Sequence, residues 1–264
     1  MALLELQDCT KTFGGLKAVS EVSLAVEPHA LIGLIGPNGA GKTTIFNLIT
    51  GVYQPTSGHI RLGSEKIAGR TPSQIAQRGI ARTFQNIRLF PNLTVTENVR
   101  IACQLRSRSR LWDSVLRTRR HYSAEGDIAD RARQLLALFG LEEFAEWQSS
   151  SLPYGEQRRL EIARALATEP KVLLLDEPAA GMNPQEKDEL MHLIRRVRDE
   201  FNVAVLLIEH DMQVVMGICE HIYVLDYGEV IAAGAPAAIR HDPKVIEAYL
   251  GEPLEAPAPA AGDA

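Results

Sequence analysis

Short apolar runs separated by turn residues dominate the first 65 positions, at 3–6, 22–26, 31–35 and 59–62. Each has the length and residue types of a strand. The run at 31–35 stops at Gly36, a helical pattern follows from Lys42 to Ile49, and Gly51 closes it. That spacing predicts a strand, a glycine loop and a helix with a glycine at its C-terminal end. Over 95–141 the pattern turns helical and more charged, and beyond it the runs at 172–175, 203–208 and 222–225 are again strand-sized and divided by helical stretches. Strands alternating with helices predict an α/β fold whose sheet is mostly parallel and covered on both faces.

Composition narrows the class. Hydrophobic residues make up 45% of 264, enough for a large core. The formal charge of −5 argues against a protein that coats nucleic acid, so no nucleic-acid partner is expected. No run approaches the roughly 18 to 20 apolar residues of a membrane span, and the N-terminus lacks the basic and apolar regions of a signal peptide. Cys9, Cys103 and Cys219 show no Cys-x-x-Cys spacing and read as reduced cytoplasmic thiols. Any membrane connection then runs through a partner chain. Residues 106–120 hold six arginines against Asp113, either a solvated helical surface or a patch facing anionic lipid or an acidic partner. The Pro/Ala-rich stretch 252–264 is expected to be disordered.

The chemistry begins at Gly36, Pro37, Asn38, Gly39, Ala40, Gly41, Lys42 and Thr43, which fit G-x-x-x-x-G-K-[ST], with Thr44 following. Glycines let successive N–H groups turn inward onto phosphate oxygens, and the next helix adds its positive end. Lys42 can reach the β and γ phosphates and the Thr43 hydroxyl can ligate Mg²⁺. The second feature is an apolar strand, 172–175, ending in Asp176 and Glu177. Asp176 is placed to hold Mg²⁺, directly or through water. Alternate side chains of a strand face opposite sides, so Glu177 is free to act on a different object, as general base toward an attacking water.

Between these features lie Leu152, Pro153, Tyr154, Gly155, Glu156, Gln157, Arg158 and Arg159, followed by an Ala-rich helix through Leu166. This segment resembles the signature of ABC ATPases, usually Leu-Ser-Gly-Gly-Gln. With Gln85 after Arg82-Thr83-Phe84 and His210 after a strand, five elements stand in that family's order, and the resemblance covers about 3–251. It implies a P-loop ABC-ATPase fold with an N-terminal antiparallel β subdomain and a helical subdomain at about 90–168, in one domain spanning 1–251. Phe13 resembles the aromatic that stacks on adenine; a core phenylalanine is the other reading. Gln85 resembles the residue that touches Mg²⁺ and the attacking water and senses the membrane partner. His210 resembles the histidine that contacts the γ-phosphate and holds Glu177 and water. In the family, two such subunits sandwich two ATP molecules, each between one phosphate loop and the other subunit's signature.

Three departures stand out. Pro153 replaces the usual serine and has neither hydroxyl nor N–H to offer across a dimer, although proline starts helices well at the first position. Tyr154 replaces the first glycine, while Gly155 remains available for backbone contact. Asn183 stands where the family often has Asp. The strings at 13–16, 82–90, 154–164 and 176–184 resemble the ATP-binding subunit of branched-chain amino-acid importers. That resemblance implies two transmembrane permeases, a second and non-identical ATP-binding subunit with a homodimer as the alternative, a periplasmic solute-binding protein, and a place on the cytoplasmic face of the bacterial inner membrane. Lipopolysaccharide export, import of another small solute such as urea, a soluble non-transport ABC ATPase and a non-hydrolysing ATP-dependent clamp are the alternatives.

Overall fold

The computed structural model describes residues 2–106 and 119–250. A four-stranded antiparallel sheet comes first, built from β1 (Leu4–Phe13), β2 (Leu16–Val26), β4 (Ser57–Leu62) and β5 (Glu65–Lys66) in the order β2-β1-β4-β5. β1 and β2 run well past the apolar runs at 3–6 and 22–26. Their outer halves carry Lys11, Thr12 and Lys17, so pairing continues to Phe13 and Leu16 after the hydrophobic pattern has stopped.

The second sheet holds six strands in the order β10-β9-β3-β8-β7-β6. These are β3 (Leu31–Ile35), β6 (Ile80–Arg82), β7 (Val172–Asp176), β8 (Ala204–Ile208), β9 (His221–Asp226) and β10 (Glu229–Gly234). All pairs are parallel except β9 with β10. Both faces are covered, and the alternation along each strand sorts its side chains. Leu173, Leu175, Val205 and Leu207 enter one core, while Val172, Leu174, Leu206 and Ile208 enter the other. The second core is shared with the antiparallel sheet and α1 (Lys42–Ile49), whose bounds match the predicted helix.

The first core is shared with helices. Between β6 and β7 the chain forms α3 (Val95–Cys103), α4 (Arg119–Phe139) and α5 (Tyr154–Leu166). Val99, Leu135, Phe139 and Leu160 bury their side chains together there. The helices α6 (Pro184–Phe201) and α7 (Met212–Ile218) flank β8, and α8 (Pro236–Ile239) and α9 (Pro243–Leu250) close the chain. α2 (Pro72–Arg78) precedes β6. Thr71, Thr94 and Asn183 open α2, α3 and α6 with reciprocal capping boxes. No described helix is long and apolar enough to cross a membrane. The three cysteines are free and buried, and burial pushes the Cys219 thiol up to about 12. Most of the arginine-rich stretch at 106–120 and the tail at 252–264 lie outside the described residues.

Candidate functional site

The phosphate loop joins β3 to α1 and is threaded between backbone walls. A Cβ on Gly36, at φ +146°, would lie 1.9 Å from the Leu225 carbonyl oxygen. One on Gly41, at φ +102°, would lie 2.5 Å from the Ala18 carbonyl. Glycine is therefore required at both positions. The Gly228 N–H donates to the Ala40 carbonyl at 3.0 Å, which fixes the loop to the β9–β10 turn. Pro37, Asn38 and Gly39 form its outer arc and face α9 across a cleft of about 610 Å³. Lys42 is buried and donates from Nζ to the carbonyls of Gly36 at 2.6 Å and Pro37 at 2.9 Å. Burial lowers its pKa, against the attraction of Glu177 and Asp176. Its ammonium thus feels the negative charge of both carboxylates. Thr43 is exposed and Thr44 half-buried on the first turn of α1.

Asp176 ends β7 on the face it shares with α1. Its Oδ2 accepts from Arg82 Nη2 at 2.7 Å, and Arg82 Nη1 donates to Asn47 Oδ1 at 2.7 Å. Arg82 is a residue that the sequence reading passed over; its signal was a charged residue ending an apolar strand. The next residue leaves the strand: Glu177 has φ +48°, a backbone conformation uncommon for a residue other than glycine. Its Oε2 accepts from Gln85 Nε2 at 2.7 Å and lies 3.8 Å from His210 Nδ1. Lys42, Asp176 with Glu177, Gln85 and His210 therefore come from four separate segments of the chain.

Glu209, 1% exposed, was also passed over. Its carboxylate accepts from the N–H groups of Ala179 at 2.8 Å, His210 at 3.1 Å and Asp211 at 3.4 Å. Burial pushes its pKa up against those three donors. The result ties the loop after Glu177 to the loop carrying His210.

Phe13 is 41% exposed, which excludes the core reading. Its ring meets Tyr53 edge-on at 5.0 Å and lies under Lys11 Nζ at 4.9 Å. An aromatic pair with a cation beside it suits a nucleobase. Pro153 and Tyr154 are exposed, and Gly155 and Glu156 half-buried, at the start of α5. Proline takes the N-cap rather than the first helical position expected for it, and supplies no side-chain cap. Among the described residues, no hydrogen bond or ion pair joins these four to the phosphate loop. Their link is to Gln85, whose carbonyl accepts from Arg158 Nη2 at 2.7 Å.

The donor set fits a nucleoside triphosphate with a hard cation. Backbone N–H groups, an ammonium and a helix end serve phosphate. A hydroxyl, an amide and a carboxylate are the oxygen donors Mg²⁺ takes.

Comparison with known proteins agrees. Residues 19–180 match the family model described as ABC transporter, and residues 229–255 that described as branched-chain amino acid ATP-binding cassette transporter. The chain is 48% identical over 250 residues to the high-affinity branched-chain amino acid transport ATP-binding protein LivG of Escherichia coli (strain K12), covering 95% of this chain and 98% of that one. It is 36% identical over 252 residues to the lipopolysaccharide export system ATP-binding protein LptB of the same organism, covering 96% and 98%. The crystal structure of a nucleotide-free ATP-binding cassette from an ABC transporter superposes with a TM-score of 0.82 at 30% identity, covering 96% of this chain and all of that one. Phosphate loop, strand-end carboxylates, signature segment and whole-chain similarity lead to one conclusion: the chain belongs to the ATP-binding proteins of ABC transporters.

Proposed function

We propose that this chain hydrolyses ATP to drive uptake of branched-chain or related hydrophobic amino acids, using Glu177 as the base. The observation that carries the chemistry is the approach of Gln85 and His210 to one carboxylate, Glu177, beside the phosphate loop. As members of the ABC family, such subunits bind ATP with Mg²⁺ and work as ATPase dimers against membrane permeases.

Lys42 and the N–H groups of 38–43 neutralise the β and γ phosphates, and Phe13 stacks on the base. Thr43, Gln85 and Asp176 would hold Mg²⁺, which would supply neutralising charge to the phosphates. Glu177 takes a proton from a water molecule as the water oxygen attacks the γ-phosphorus, while the bond from that phosphorus to the β–γ bridging oxygen breaks and ADP and phosphate leave. His210 and Gln85 keep that carboxylate in one orientation. Pro153, Tyr154, Gly155 and Glu156 face the nucleotide on the second subunit's phosphate loop. ATP binding then closes the sandwich and hydrolysis reopens it.

The helices α3, α4 and α5 form the subdomain that meets the membrane chains. An apolar cleft of about 410 Å³, walled by Val52, Ile75, Phe84, Phe90 and Ile101, supports this reading. Phe90 and Ile101 are 45% and 40% exposed, an apolar patch of the kind that marks a partner site. Two permeases, a second non-identical ATPase and, indirectly, a periplasmic solute-binding protein complete the machine at the cytoplasmic face of the inner membrane. The chain does not itself touch the transported solute. Its substrate follows from its relatives.

Capture of tagged Glu177→Gln protein from solubilised membranes in ATP tests this. Two multi-span permeases and a second ATPase, whose liposomes take up labelled leucine, support the proposal. A self-paired ATPase with export-type membrane chains would move the assignment to lipid export. Recovery of ribosomes or DNA alone would remove the transport role.

A further inference from the structure

Arg158 lies one turn into α5 and is wholly buried, an unusual position for a guanidinium. Nη1 donates to the Phe84 carbonyl at 2.6 Å and to Glu161 Oε2 at 2.8 Å. Nη2 donates to the Gln85 carbonyl at 2.7 Å and to the Tyr154 hydroxyl at 3.1 Å. Glu161, 2% exposed, uses its other oxygen to accept from the N–H groups of Arg88 at 3.1 Å and Phe84 at 3.4 Å. The segment 84–88 is thus gripped at four backbone groups by two charged side chains of one helix. Within it, Gln85 holds Glu177.

The other end of this grip is the departure from the usual signature. Tyr154 stands where glycine is common, and its hydroxyl is the fourth acceptor on Arg158. Its ring also lies against the loop after Glu177: a Cβ on Gly181 would be 3.6 Å from Tyr154 Cε1. One tyrosine therefore bonds the arginine that fixes Gln85 and stands beside the loop that follows Glu177. A buried charged network has few alternative arrangements, because any displaced member leaves an unpaired charge in the core.

We infer that Arg158, with Tyr154 and Glu161, is a positioning residue that makes the placement of Gln85 on Glu177 depend on the setting of α5. Through it the signature face, which this subunit lends to its partner's nucleotide, is coupled to the half-site that the subunit keeps. The inference rests on the proposed roles of Gln85 and Glu177.

The test uses the captured complex in nanodiscs and compares Arg158→Lys, Gln85→Ala and the double variant. Arg158→Lys keeps the charge and loses the fork. It should lower kcat about tenfold, with KM for ATP changed less than about twofold. On a Gln85→Ala background the same change should cost less than about twofold, because the residue acts through Gln85. Losses that multiply in the double variant would overturn the inference. So would kcat falling only in step with the folded fraction. Should Arg158→Lys fail to fold, Tyr154→Phe removes just the hydroxyl. It should slow turnover about two- to threefold, and not at all once Gln85 is alanine. A loss that persists overturns the link. Gln85→Ala leaving turnover unchanged overturns it too, while the ATPase reading is judged separately on loss of turnover in Glu177→Gln.

Discussion

At the residue scale the site depends on a few atoms that cannot be exchanged. Glu177→Gln keeps the shape of the side chain and its bond to Gln85 but removes the base. Turnover should fall by about 10²-fold or more, while fluorescent-nucleotide titration returns an unchanged Kd. Undiminished hydrolysis would remove Glu177 from the role. Gly36→Ala forces a methyl to within 1.9 Å of the Leu225 carbonyl oxygen in a conformation that alanine avoids. Unfolding by urea should show a loss of about 2 kcal/mol or more, from strain that cannot relax without moving β9. Stability within error of wild type would mean that the loop is looser than its geometry implies.

The same scale explains what the sequence could and could not tell. Lys42, Asp176 and Glu177 were legible because each sits at a fixed offset from its own local strand or loop. Gln85 and His210 were found only by resemblance, since nothing near them in sequence announces that they meet Glu177. Arg82, Arg158, Glu161 and Glu209 were not found. Each is a buried or part-buried charged residue that also bonds a group distant in sequence: Asp176 for Arg82, 94 positions away, and Ala179 for Glu209, 30 away. A charge inside an apolar run was the visible sign, but a run alone does not say which backbone will satisfy it.

At the element scale, the helix starts decide how the departures are read. Asn183 closes a capping box with Glu186, accepting from its N–H at 3.0 Å and donating its own to Oε2 at 2.8 Å. Asn183→Ala should cost about 1 kcal/mol, whereas Asn183→Asp should keep the cap and add a charge where the helix end favours it. Equal melting temperatures for wild type and alanine variant would show the cap to be idle. Pro153 offers α5 no such cap. Pro153→Ser should stabilise by about 0.5–1 kcal/mol through the missing cap, and should also change hydrolysis at the second subunit's phosphate loop. Unchanged turnover there would confine Pro153 to a structural part. Strands with strong apolar cores, β3, β7 and β8, were legible to within a residue. The edges were less so. β10 has only half-buried or exposed residues, and β6 is three residues long, so neither carries a periodic signal.

For the molecule as a whole, an ATPase that never meets its solute must pass work through a surface. In the cleft beside Phe84 an exposed apolar wall adjoins the segment holding Gln85, since Phe84 lines it and Gln85 follows directly. A helix laid in this cleft would press on 84–88 at one end of the Arg158 network, so that seating of the permease and placement of Glu177 move together. Ile101, on the exposed wall of α3, is far from that network in sequence and bonds to none of its members. Ile101→Asp places a charge against any apolar helix in the cleft, with a desolvation cost on binding. Permeases should then be lost from the captured complex, while nucleotide affinity of the released chain stays as in wild type. Co-purification of permeases at wild-type yield would show that they dock elsewhere. The opposite pattern, intact docking with weakened ATP binding, would mean that the cleft wall supports the phosphate loop and that force enters the subunit by another route.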